Sequence, residues 1–207
     1  RGSTTLTYAQ HANFSAASNN NISGHGDAVT IVSFNLLAPP YKRLSRRNSL
    51  GRRLREKDDP ELWNERARKA MAFFEQEIFG CASIIALQEF WLEKEYFDLF
   101  EPLFNEHGYD LKHLKRMGAS KTDSVVLCVK RDEFEIMESK DVQLIPHGDR
   151  VALLLHLKQR SSGKRIILAN THLSFPHTGL DSMMQLKQVK ALTHAMTDFN
   201  DSISAEE

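Results

Sequence analysis

One run of apolar residues stands out along the chain. Ser83-Ile84-Ile85-Ala86-Leu87-Gln88-Glu89 is unbroken in its apolar part and too short for a typical helix, which predicts a strand buried on both faces. It stops on an amide and a carboxylate. A carboxylate at the end of a core strand either enters solvent or meets a cation there, and Glu89 alone does not decide between the two. Val29-Thr30-Ile31-Val32-Ser33-Phe34 predicts an earlier strand, running into Asn35 and then into Pro39-Pro40, where ladder bonding must end. Asn35 either turns the chain or holds its amide in a site.

Helical spacing follows. Asp59-Pro60 reads as an N-cap with proline in the first turn, and Trp63, Ala67, Ala70, Met71, Phe74 and Ile78 form one apolar stripe that stops at Gly80. A second helix, about residues 93–106, offers Tyr96, Phe97, Phe100, Leu103 and Phe104 as a core stripe. Short strands are predicted next over 109–115, 124–130, 133–138 and 142–145, then a hairpin of 150–157 with 164–169. Asn170-Thr171-His172-Leu173 ends the last strand on polar groups, and Asp181 is expected to cap a final helix that frays from Asp201. Strand, helix, strand, helix and then consecutive strands imply an α/β (α+β) chain with mixed sheets. Residues 1–28 have no period and read as a flexible arm ahead of a single partial domain, 29–207.

Composition narrows the partners. In 207 residues, 27 basic and 27 acidic side chains balance, so no global field favours nucleic acid or an anionic membrane. Residues 42–57 nevertheless hold eight Lys or Arg, Arg46 and Arg47 among them. On an expected loop, such density either grips phosphates or forms a solvated face. Cys81 and Cys128 read as core residues of a reducing compartment. This favours an intracellular protein, cytoplasmic or nuclear. The arm is Ser-rich and nearly free of acid, as an organellar transit tail is, but carries a single Arg. No apolar stretch approaches the roughly 20 residues of a membrane span.

Three predicted strands thus end on Asn35, Glu89, and Asn170 with His172. Functional groups gather where sheet strands open into loops. An amide, a lone carboxylate and an imidazole lack the partners of a serine or cysteine nucleophile and the paired-histidine spacing of a zinc protease. They suit Mg²⁺, which takes one or two carboxylates and completes its sphere with water and substrate phosphate.

Taken in order, Ser33-Phe34-Asn35-Leu36-Leu37-Ala38, Trp63-Asn64-Glu65-Arg66, Leu87-Gln88-Glu89, Lys121-Thr122-Asp123-Ser124 and Asn170-Thr171-His172-Leu173 resemble the endonuclease/exonuclease/phosphatase (deoxyribonuclease-I-like) superfamily over about 140 residues. The wording is most similar to its carbon-catabolite-repressor and nocturnin-type deadenylase branch. The resemblance implies a four-layered α/β/β/α sandwich and a phosphoester hydrolase using Mg²⁺ or Mn²⁺. It makes Glu89 a metal ligand, Asn35 an amide beside metal and phosphate, and His172 and Asn170 the strand-end pair approaching the phosphate. Where relatives usually have Asp-Gly, Ser124 follows Asp123. The family's later Gly-Asp-x-Asn motif and closing Asp-His pair are not matched, and Asp198-Phe199-Asn200 lacks the preceding strand and glycine. The chain is therefore expected to be the N-terminal, metal-side portion of the domain.

The leading expectation is an RNA 3′ exonuclease of deadenylase type, with Arg46 and Arg47 of the basic stretch contacting substrate phosphate. Alternatives are a phosphatase or phosphodiesterase for inositol phosphate, sphingomyelin or a nucleotide, and an inactive product that binds RNA or a protein partner.

Overall fold

The computed structural model describes residues 6–7, 28–144 and 149–205. Its elements are β1 (Leu6–Thr7), β2 (Val29–Asn35), β3 (Arg43–Arg47), β4 (Arg53–Arg55), α1 (Pro60–Phe73), β5 (Ile84–Trp91), α2 (Lys94–Glu106), β6 (Tyr109–Lys115), β7 (Asp123–Lys130), β8 (Phe134–Gln143), β9 (Val151–Gln159), β10 (Arg165–Thr171) and α3 (Gly179–Ala205). A five-stranded sheet has the order β1-β2-β5-β7-β6, and a three-stranded sheet the order β10-β9-β8. β2 runs parallel to β5, while β5 with β7 and β6 with β7 are antiparallel, so the first sheet is mixed as expected.

The β5 run explains the layering. Ile85 and Leu87 face one way, into a core with Trp63, Phe74, Tyr96, Phe100 and Phe104 of the helical segments. Ile84 and Ala86 face the other way, onto Leu153, Leu155 and Leu157 of β9 in the second sheet. Period-two alternation on a strand covered on both sides needs apolar residues at every position. The far face of the second sheet, through Ala152 and Leu154, packs on Phe199, Leu192 and Met196 of α3. The order is helices, sheet, sheet, helix: the four-layered sandwich that the resemblance implies.

Local signals largely held. Asp59 accepts a hydrogen bond from Leu62 N at 3.3 Å, with Pro60 at the first turn of α1. The helix then loosens into a π-turn over Phe74–Ile78, which keeps Phe74 and Ile78 in the core. In the β9–β10 hairpin, Gly163 has φ +70°, a conformation only glycine adopts freely.

Several expectations are corrected. The pieces 133–138 and 142–145 are one strand, β8, kept continuous by a register shift between Ile136 and Glu138; Ile145 itself lies outside the described residues. The basic stretch is not a loop but the β3–β4 hairpin followed by a 3-10 turn. Thr178, not Asp181, caps α3: each accepts from the other's backbone N–H, a reciprocal cap. That helix stays regular to Ala205 instead of fraying at Asp201. Cys81 is exposed, whereas Cys128 is buried. Of the expected arm, Leu6–Thr7 and Ala28 are described, and Leu6–Thr7 pairs parallel with β2. Among the described residues, no helix is long and apolar enough to cross a membrane.

Candidate active site

Glu89 does not end its strand. β5 continues to Trp91, and the register against β7 shifts between Leu87 and Phe90, so Glu89 sits in a bulge with φ +53°. A bulge re-aims a side chain without ending the sheet. Positive φ on a non-glycine residue costs of order 1–3 kcal/mol and tends to mark functional positions. The re-aimed carboxylate meets the end of β2. Asn35 Nδ2 donates to Glu89 Oε1 at 3.2 Å, while Asn35 Oδ1 accepts from Leu37 N at 2.8 Å. Thus Asn35 both turns the chain and presents its amide to the site.

His172 arrives from the second sheet, immediately after β10, with Nε2 3.6 Å from Glu89 Oε1. Glu89 Oε2 and His172 Nδ1 are buried and have no hydrogen-bond partner. Burial lowers the pKa of His172, and the charges of Arg150 and Arg116 push the same way against Glu89 and Asp123. The imidazole is therefore neutral at pH 7, with one ring nitrogen available as an acceptor.

The loop after β2 is held from α1. Arg66 donates to the carbonyls of Leu36 at 2.6 Å and Leu37 at 2.7 Å, and its Nε lies 2.8 Å from Glu56 Oε2. Glu56 is 1% exposed and also accepts from Lys42 at 2.8 Å. Trp63-Asn64-Glu65-Arg66 therefore carries a clamp that holds Asn35's neighbours in place. Glu56, the anion at its centre, sits inside the basic stretch and gave no signal of its own in the sequence.

Asn170 has a different place from the one expected. It is 3% exposed, and its Nδ2 donates to the carbonyls of Leu87 and Val126 at 2.8 Å each, while its Oδ1 accepts from Gln88 at 2.9 Å. Its amide hydrogens are spent in stitching β10 to β5 and β7 across the two sheets. Asn170→Ala strands these groups, and a loss of about 2–4 kcal/mol is expected. Urea denaturation measures it; a change under about 0.5 kcal/mol overturns the stitching role.

Arg46 and Arg47 lie on β3. Arg46 pairs with Asp59 and Arg47 with the carbonyl of Gly51, and both remain exposed. Nearer the site are groups that the strand-end rule missed. Tyr41 donates to Asp123, whose other oxygen is 3.7 Å from Arg116, and Asp149 pairs with Arg116 at 2.6 Å and with Arg150 at 3.5 Å. Burial, then Asp123, raise the Tyr41 hydroxyl far above its ordinary 10, so it stays protonated. A charged pair placed just before the apolar run of β9, Asp149-Arg150, was the available signal. It is the strand-end argument applied to a strand's beginning.

Chemically, the arrangement is a buried acceptor oxygen flanked by an amide, a neutral imidazole and guanidinium groups. Among the described residues, no group of three or more His, Cys, Asp and Glu side chains is placed to share a metal ion. A cation at Glu89 would have to draw most of its ligands from water and substrate.

The fold has close counterparts among solved structures. An endonuclease/exonuclease/phosphatase family protein from Bacteroides thetaiotaomicron aligns with a TM-score of 0.60 and 16% identity, over 83% of this chain and 59% of that one. The human Nocturnin catalytic domain with bound sulfate gives 0.56 and 20%, over 79% and 56%. ANGEL2, a 2′,3′-cyclic phosphatase in complex with adenosine-2′,3′-vanadate, gives 0.57 and 22%, over 75% and 44%. The chain therefore has the endonuclease/exonuclease/phosphatase fold. In sequence it is similar to an uncharacterized calcium-binding protein of Arabidopsis thaliana, 30% identical over 171 residues. That match covers 78% of this chain and 34% of the relative, so the chain spans about a third of that protein's length. No protein-family model matches.

Proposed function

We propose that this chain forms the metal-side portion of a Mg²⁺-dependent phosphodiesterase of the endonuclease/exonuclease/phosphatase type, acting on RNA from its 3′ end. One observation carries the reading: Glu89 Oε2 is buried without a partner on a strained bulge, beside the amide of Asn35. An unpaired buried carboxylate is costly. A hard cation that keeps several waters and takes one carboxylate fits this donor set. Glu89, through Oε2, and Asn35 beside it would hold it, and Mn²⁺ would substitute. When bound, such an ion neutralises phosphate charge and lowers the pKa of a coordinated water.

The chain's own groups supply the rest. His172, neutral at pH 7, holds or accepts a proton at the phosphate through the ring nitrogen not facing Glu89. The protonated Tyr41 hydroxyl donates to Asp123 and orients it. Arg66 fixes the loop carbonyls of Leu36 and Leu37, so Asn35 keeps its position as substrate enters. RNA as the substrate is supported by the exposed arginines of the β3–β4 hairpin, which provide a salt-sensitive surface for a polyanion. A second reading, supported by the likeness to ANGEL2, is hydrolysis of a 2′,3′-cyclic phosphate end.

The test is release of AMP from a 3′-oligoadenylate, run beside an oligonucleotide ending in a 2′,3′-cyclic phosphate, with Mg²⁺, with Mn²⁺ and with EDTA. The 207-residue chain and the longest product of its gene are both assayed. AMP release that EDTA abolishes supports the exonuclease, and opening of the cyclic end alone supports the second reading. Failure of both lengths on both substrates overturns the RNA assignment.

A further inference from the structure

Arg150 is a largely buried cation with two unsatisfied donors. Its side chain is 14% exposed, and Nε and Nη1 are buried without a hydrogen-bond partner. Its backbone is fixed, since the Arg150 carbonyl accepts from Leu144 N at 3.2 Å. The topology puts it at the candidate active site. β9 begins at Val151 and β10 ends at Thr171; these strands pair antiparallel with Thr171 opposite Ala152, and Thr171 Oγ1 donates to the Val151 carbonyl at 2.8 Å. Arg150, just before one strand, and His172, just after the other, therefore leave the sheet at the same end. The Arg150 charge acts on His172, and Glu89 lies within electrostatic range of both.

The anion already present does not satisfy Arg150. Asp149 is 3.5 Å from its Nε, but Asp149 is shared: Arg116 binds it at 2.6 Å and Lys121 stands 3.7 Å away. Asp123, the other nearby carboxylate, accepts from Tyr41 and is 3.7 Å from Arg116. Arg116 Nε is itself buried and unpartnered. Burial and the neighbouring Arg116 charge lower the Arg150 pKa, against Asp149, Asp123 and Glu89. A guanidinium remains protonated under such pressure and lacks only an acceptor with geometry for its fork of N–H donors.

We propose that Arg150 is a substrate-binding residue whose guanidinium, with Nε and Nη1 unsatisfied, donates to non-bridging phosphate oxygens, and that Arg116 and Asp149 position it. Phosphate matches the guanidinium fork and is the anion that a Glu89-bound cation would share. The choice of phosphate rests on the phosphodiesterase reading; the existence of an anion site at Arg150 does not. Glu89 would hold a divalent ion and Arg150 would bind the same phosphodiester, with His172 leaving the sheet at the same end as Arg150.

The experiment is binding of AMP and of inorganic phosphate in EDTA, by calorimetry and by the arginine Nε–H resonances, for the wild-type chain, Arg150→Met and Arg150→Lys. One Nε–H resonance, absent from Arg150→Met, is expected to shift on phosphate addition. Arg150→Met is expected to weaken AMP binding about 10- to 100-fold, and Arg150→Lys to recover only part of it. If Arg150→Met does not fold, the wild-type resonance shift, assigned through Arg150→Lys, still tests the contact. Unchanged AMP affinity in a folded Arg150→Met, or no arginine resonance that moves, overturns the proposal. Phosphate binding through Arg150 with no hydrolysis of any phosphoester upholds the anion site and sinks the phosphodiesterase. Metal-dependent hydrolysis with binding indifferent to Arg150 does the reverse.

Discussion

Glu89→Gln is expected to reduce metal-dependent phosphoester hydrolysis by at least about 10²-fold, a loss comparable to removing a group that stabilises charge in a transition state. The substitution keeps the shape and the contact with Asn35 but removes the charge that makes Oε2 a ligand. The same change is expected to raise the thermal midpoint in EDTA, because a buried, unpartnered carboxylate becomes a neutral amide. Opposite movements of activity and metal-free stability are the signature of a position held for function. A Glu89 serving only the sheet predicts the contrary, namely unchanged turnover and a lower midpoint. Divalent-ion titration of thermal stability provides an independent check: Mg²⁺ or Mn²⁺ stabilises the wild type and not the Gln variant. Turnover of Glu89→Gln within about threefold of wild type would remove the metal-ligand assignment.

The largest expected effect on stability is at Arg66. Arg66→Met leaves Glu56 buried with Lys42 alone and deprives the Leu36 and Leu37 carbonyls of their donor. Breaking one side of a buried ion pair costs about 3–5 kcal/mol, to be read as a fall in the urea midpoint at constant slope. Pairing Arg66→Met with Glu56→Leu is expected to recover part of the loss, since no buried charge is then left unmatched. The clamp also has a pH signature. Burial acts to raise the Glu56 carboxyl, but hydrogen bonds from Arg66 and Lys42, with their charges, outweigh it and hold the group below its ordinary 4.5. As pH falls below about 4.5, the unfolded chain takes up this proton before the folded chain does. The contribution is therefore complete above that value and is lost as pH drops through the folded value. A Glu56→Gln variant is expected to be less stable at pH 7 and to show a shallower decline in acid. An identical acid slope in both proteins would separate Glu56 from the titration.

The two predictions differ in how far the sequence could have led to them. Glu89 was visible because a core strand read onto a carboxylate, although the structure shows a bulge in place of a strand end. Apolar runs announce strands well and bulges poorly, since a bulge changes one backbone angle and no residue type. Asn35 and His172 were visible for the same reason, and the fold brings both beside Glu89. Asn170 was equally visible, and sequence reasoning sent it to the phosphate; its burial and its two carbonyl partners put it between the sheets instead. The basic stretch shows a parallel gap. Its charge density was evident, but not that Glu56, within it, is the buried anion for Lys42 and Arg66. An isolated Glu among arginines looks solvated until the fold removes water from around it.

Local chemistry thus decided most of the elements and their order, the mixed sheets, the capping of α1 and the polar residues near strand ends, because periodicity, proline and capping groups act over a few neighbouring residues. The tertiary structure alone decided which polar groups are satisfied. Asn35 finds Glu89 across 54 residues, Asn170 reaches Leu87 across 83, and Tyr41 meets Asp123 across 82. Whether a buried oxygen or guanidinium keeps a partner depends on how two sheets close over it. That closure leaves Glu89 Oε2, His172 Nδ1 and Arg150 Nε and Nη1 without one.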